Sequence, residues 1–116
     1  MGKLLLRIRW LTMSLLTGMG IYSGSLYAAT PEIELQIRDH LFFPATVEVP
    51  AGVKVRLLIT NMDATPEEFE SYELNREKVI PANSKTVIFI GPLKAGEYLF
   101  FGEFYPKTAQ GKVIAR

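Results

Sequence analysis

The chain of 116 residues contains no cysteine, one histidine (His40) and, beyond its first 28 residues, one methionine (Met62). Without cysteine there is no disulfide, no thiol nucleophile and no thiol to carry a lipid. A single histidine far in sequence from any serine leaves hydrolytic catalysis without support. There is no phosphate-cradling glycine loop, and no basic patch interleaved with aromatics that would make a nucleic acid the partner.

What is present begins with an address. Lys3, Arg7 and Arg9 precede an apolar run from Trp10 to Tyr22, and small residues and "SLYAAT" follow. This pattern predicts a secretory signal peptide over residues 1–28, cut after Ala28 or Ala29. The alternative is an uncleaved membrane anchor, which asks for about 20 mainly apolar residues; Gly18, Gly20 and Ser23 interrupt this run. The expected location is periplasmic, peripheral to the membrane at most. Residues 29–116 are enough for one small domain, with ten basic against twelve acidic side chains. Packing alone must hold that domain together.

From Glu32 to Arg38 the sequence alternates, with Ile33, Leu35 and Ile37 on one face and charged or polar residues on the other. Period two predicts a half-buried strand. The same reading fits 46–49, 53–60, 85–90, 97–101 and 112–115, with shorter extended pieces near "FESY" and "EKVI". Turn signals separate them, among them "PAG" at 50–52, "NMDATP" at 61–66, "PANS" at 81–84 and "GPLKAG" at 91–96. Seven or eight short strands so punctuated predict an antiparallel β-sandwich. The predicted core is Phe43, Val47, Val49, Val55, Leu57, Ile59, Phe69, Val79, Val87, Phe89, Tyr98, Phe100 and Val113.

Three signals occur in order: "FFPATVEVPAGVKVRLLITNMD", then "PEEFE", then "GPLKAGEYLFFGEFYPKTAQGKVIA". Together they resemble the cupredoxin-like family over about Ile33 to Ala115, which implies an all-β Greek-key sandwich for residues 29–116. In that family the last hairpin carries cysteine, histidine and methionine ligands; here those positions are Gly102, Tyr105 and either Thr108 or Ala109. The earlier histidine position is Glu67. No thiolate means no blue-copper centre.

Oxygen replaces these ligands. Asp63, Glu67, Glu68, Glu70 and Glu73 crowd one segment, with Glu77 nearby and Glu103 beside Gly102. Carboxylates are hard ligands, suited to iron(III), manganese or calcium and usable by copper(II) or iron(II). In a strand Glu68 and Glu70 share a face while Phe69 turns inward. A plain solvated face is the competing reading. His40 is a further candidate ligand, or a loop histidine bonded to a neighbour such as Asp39. Met62 is a candidate axial thioether or simple packing, and Tyr105 a phenolate ligand or a loop hydrogen bond.

The "EFE" unit, the "REKVIP" piece with Glu77 and "GEYLF" are similar to the cupredoxin domain of EfeO-type iron-uptake proteins. The resemblance implies a periplasmic partner of an iron permease that binds iron or copper, with Glu68, Glu70 and Glu103 as main ligands and Glu67, Glu77 and His40 as secondary ones. The alternative is a metal-free interaction module presenting Phe101, Phe104 and Tyr105. A ferrous-iron oxidase is the least supported, because a mononuclear site without thiolate or several imidazoles has no way to store and pass on electrons.

Overall fold

The computed structural model describes residues 29–116; the predicted signal peptide lies outside the described residues. Among the described residues no helix is long and apolar enough to cross a membrane. Nine strands follow one another: β1 (Glu32–Arg38), β2 (Leu41–Phe43), β3 (Thr46–Val49), β4 (Val55–Asn61), β5 (Glu67–Ser71), β6 (Arg76–Ile80), β7 (Lys85–Ile90), β8 (Gly96–Gly102) and β9 (Gln110–Ala115). They form two sheets, ordered β2-β1-β4-β7 and β3-β9-β8-β5-β6. The three-residue strand β2 was not expected, being too short to show a period. Two neighbouring pairs, β1 with β4 and β3 with β9, are parallel. The expected wholly antiparallel sandwich is corrected accordingly, since alternation along a strand carries no information about its neighbour's direction.

The core is a continuous apolar layer between the sheets, with Leu35, Leu57, Ile59, Phe69 and Val113 fully buried. Phe100 stacks on Phe69 at 5.0 Å and takes the edge of Phe42 at 4.9 Å, making an aromatic knot. Three strands turn the face opposite to the expected one. Phe42 is buried rather than Phe43, Ile80 rather than Val79, and Ile88 and Ile90 rather than Val87 and Phe89. The reason is that "LFF", "KVI" and "TVIFI" are apolar at both parities, so the period does not choose a face. The outward rings are covered by cations instead: Arg38 lies 4.5 Å over Phe43 and Lys54 4.6 Å over Phe89. Tyr98 packs only partly against the core and donates its hydroxyl to the Lys94 carbonyl at 2.7 Å.

A polar clasp closes one end. Asn61 is buried, and its amide nitrogen points at the carbonyls of Thr65 (2.9 Å), Ile80 (3.1 Å) and Pro81 (3.3 Å). Its oxygen accepts from the Asp63 backbone N–H at 3.0 Å. Asp63 in turn accepts from the N–H groups of Asp39 (2.8 Å) and His40 (3.0 Å). Those two residues have φ of 53° and 59°. The left-handed region is uncommon outside glycine, though Asp and His enter it more readily than most, and the doubly bonded Asp63 carboxylate holds the β1–β2 turn in it.

The corrected parity of β7 is directly testable by urea unfolding. Ile88→Ala should cost about 2–5 kcal/mol, and Phe89→Ala about 1 kcal/mol or less because its ring is already half in water. The reverse order would restore the face expected from the sequence.

Candidate functional site

The end of the sandwich where ligands were sought is built from β5, β8 and the loop after β8. That loop is tight: the Gly102 N–H donates to the Ala109 carbonyl at 2.7 Å, and the Ala109 N–H donates to the Tyr105 carbonyl at 2.9 Å. Into it projects Glu67, the first residue of β5, which is 1% exposed. One oxygen of Glu67 accepts from the N–H groups of Glu68 and Phe104, both at 2.9 Å. The other is buried without a hydrogen-bond partner. A Cβ at Gly102 would stand 2.5 Å from this carboxylate and 2.7 Å from the Ala109 Cβ. The Glu67 carboxylate therefore fills the room that a side chain at 102 would need. Beside it the His40 ring stacks on Tyr105 at 3.5 Å, and the His40 Nδ1 lies 3.5 Å from the Asp63 carboxylate.

One residue further along, the other face of β5 carries a different chemistry. Phe69 and Ser71 point inward, so Glu68 and Glu70 stand on the outer face of the five-stranded sheet. The β5–β6 register sets Glu77 directly opposite Glu70. One oxygen each from Glu68, Glu70 and Glu77 lies within 4.8 Å of the others. A hard cation held at about 2.3–2.6 Å from each ligand tolerates that spacing. One Glu70 oxygen is shielded and has no hydrogen-bond partner. The pKa of Glu68 is raised by withdrawal from water, then by the charges of Glu77, Glu70 and Glu103. That of Glu70 is raised by withdrawal from water, then by Glu77 and Glu103.

Nothing cationic neutralises this group among the described residues: the four ion pairs are His40–Asp63, Arg56–Glu32, Lys112–Glu97 and Arg116–Glu48. Arg76 is adjacent in sequence to Glu77 but spends its guanidinium on the carbonyls of Phe89 (2.7 Å) and Asn75 (2.8 Å).

The six candidate residues thus fall into four places. Glu68, Glu70 and Glu77 converge. Glu103 is their neighbour, its N–H bonded to the Glu68 carbonyl at 2.9 Å and its charge felt by both Glu68 and Glu70, but it is outside the close trio. Glu67 lies on the opposite face of β5, and His40 is in the β1–β2 turn against Tyr105. The remaining acids of the crowded segment are structural: Asp63 holds the turn, and Glu73 accepts from the Leu99 N–H at 2.7 Å. The role of the Phe104 N–H, which anchors Glu67, is one that sequence reasoning missed; backbone donors leave no trace in residue identity.

Comparison with known proteins agrees with this architecture. The family model of the cupredoxin-like domain matches residues 9–115. An uncharacterized protein of Rickettsia prowazekii (strain Madrid E) is 48% identical over 83 residues, 72% of this chain and 66% of that protein. The chain thus spans about two thirds of that relative's length. The metal binding domain of the Cu(I)-exporting P-type ATPase CopA of Streptococcus pneumoniae D39, solved with Cu(I), superposes with a TM-score of 0.68 at 17% identity, covering 78% of this chain and 90% of that one. Auracyanin A, a "blue" copper protein from Chloroflexus aurantiacus, superposes at 0.64 with 15% identity, covering 76% and 100%. At such identities the likeness is one of fold.

The raised pKa values have a signed consequence. Both lie above the ordinary 4.5 in the fold, so on raising the pH the unfolded chain releases these protons first. The stability that Glu68 and Glu70 contribute is full below pH 4.5 and is lost as the pH rises through the raised values. In chelator, the Glu68→Gln, Glu70→Gln variant should melt above the parent at pH 7 and level with it at pH 4. Circular dichroism melts at both pH values check this, and a variant less stable at pH 7 would contradict it.

Proposed function

The chain belongs to the cupredoxin-like domain family, and on that premise we propose that it is an exported member which binds iron or copper(II) at outer-face carboxylates and assists iron uptake through a membrane permease. The observation that carries this reading is the convergence of Glu68, Glu70 and Glu77 within 4.8 Å with no cationic side chain paired to them. Three uncompensated carboxylates repel one another, and a cation bound among them relieves that repulsion. Glu103 is placed to add charge from the next strand.

The family's thiolate-containing copper centre does not fit this chain. Cysteine is absent. At the loop end the Glu67 carboxylate is engaged by two backbone N–H groups and occupies the space above Gly102. Soft Cu(I), which the streptococcal domain was solved with, finds no thiolate in this chain, and the carboxylate trio offers it only hard oxygen. Carboxylate donors suit iron(III) and are usable by copper(II) or iron(II), and the likeness of "EFE" and "REKVIP" to EfeO-type domains supports iron. Glu67 and His40 support the site's frame in this reading and do not share the trio's ion.

A second reading is a metal-free interaction module, and the exposure of the outer face supports it. Phe104 is exposed, Phe101 is half covered by Tyr72 at a ring distance of 5.6 Å, and Tyr105 is half covered by His40. Calorimetric titration of metal-free protein with copper(II), iron(II) and manganese(II) separates the two. Saturable binding that weakens at least about tenfold, roughly 1.4 kcal/mol, in Glu68→Ala, Glu70→Ala is the expected result. Absence of binding by the parent would leave only the second reading.

A further inference from the structure

Over β3, β9 and β8 the outer face of the five-stranded sheet carries a groove of about 560 Å³, lined by Thr46, Leu99, Phe101, Pro106, Gln110 and Lys112 among others. Leu99, Phe101 and Pro106 make much of its lining apolar, and Leu99 is 58% exposed. The one ammonium on its rim, that of Lys112, is paired with Glu97 at 2.7 Å. Phe101, which lines it, is placed by the sheet register opposite Glu70, itself opposite Glu77. Apolar groove and carboxylate trio therefore lie side by side on one surface, divided by a single aromatic ring.

We propose that this surface docks an extended segment of a partner protein, with a large apolar side chain in the groove and lysine or arginine over Glu68, Glu70 and Glu77. Charge selects the occupant. A second copy of the chain meeting this face symmetrically would set trio against trio, and anionic lipid or nucleic acid would be repelled. A basic segment instead offsets the charge of three carboxylates whose oxygens lie within 4.8 Å of one another. Distance selects the spacing. Neighbouring strands are about 4.8 Å apart, so groove and trio are separated by roughly 10–14 Å, which three or four extended residues span at about 3.3 Å each. The recognised pattern is an apolar residue three or four positions from a basic pair.

This inference rests on the outer face being a contact surface, as in the second reading above, and not on a metal at the trio. Where a metal is bound, it and the segment's cation compete for the same oxygens, and each weakens the other by the same factor.

The test is a nuclear magnetic resonance titration of the ¹⁵N-labelled full chain, in chelator, with the blocked peptide Leu-Leu-Gly-Gly-Lys-Lys. Saturable shifts are expected at the amides of Leu99, Phe101 and Lys112 and also at Glu70 and Glu77. Leu99→Ser should weaken binding about tenfold, while Glu68→Gln, Glu70→Gln should weaken it and flatten its salt dependence. Any of four results overturns the inference: no shifts at millimolar peptide, shifts elsewhere, equal binding of the peptide with glutamates in place of lysines, or concentration-dependent shifts without peptide. Because the titration is run without metal, its failure and a failure of metal binding are read separately.

Discussion

The buried Glu67 carboxylate is the constraint on which the arrangement of both faces depends. By accepting from the N–H groups of Glu68 and Phe104 it ties the start of β5 to the loop after β8. Strand alternation then leaves no freedom: with Glu67 inside, Phe69 and Ser71 are inside and Glu68 and Glu70 are outside. A slip of one residue would bury Glu68 and Glu70 in place of Glu67 and expose Phe69, which is half of the stacked pair with Phe100. The acidic trio on the outer face is thus a consequence of how the inner end is closed.

The same economy of backbone donors runs through the molecule. Asn61 and Asp63 gather the β4–β5 connection and the β1–β2 turn, and Ser71 donates to the Leu99 carbonyl at 2.7 Å while accepting from the Leu74 N–H at 3.0 Å. Each short polar side chain here replaces a missing strand neighbour, which is how a domain without disulfides keeps its loops fixed. Acids engaged in this way are unavailable as ligands. The carboxylates left over, Glu68, Glu70, Glu77 and Glu103, are the ones whose charges act on one another, and they mark the surface where a cation, ionic or on a side chain, gains most.

Much of this was legible in the sequence, and the failures have physical causes. The alternation in "EIELQIR" located β1 and its inner face, and the spacing of Glu68 and Glu70 around Phe69 located the shared outer face. In "KTVIFI" both parities are apolar, so burial of Ile88 and Ile90 was decided by the register with β4, which pairs Leu57 with Ile88 and Val55 with Ile90. The meeting of Glu77 with Glu70 is likewise a cross-strand register, not a sequence spacing. Glu67 was expected as a secondary ligand, at the position where the family carries its earlier histidine, and not as a buried acid held by backbone N–H groups. The signal that set it apart was parity, since positions 67, 69 and 71 share one face, together with a glycine at 102 that leaves room for it.

Glu67 fills the ligand end of this fold and so displaces any chemistry to the outer face. A double-mutant cycle on the pair tests it most directly, with unfolding free energies measured for Gly102→Ala in the parent and in a Glu67→Ala background. The added methyl should cost about 1–3 kcal/mol in the parent and at least about 1 kcal/mol less once the carboxylate is gone. Equal costs in the two backgrounds would mean that the space above Gly102 is not held by Glu67, and would contradict it.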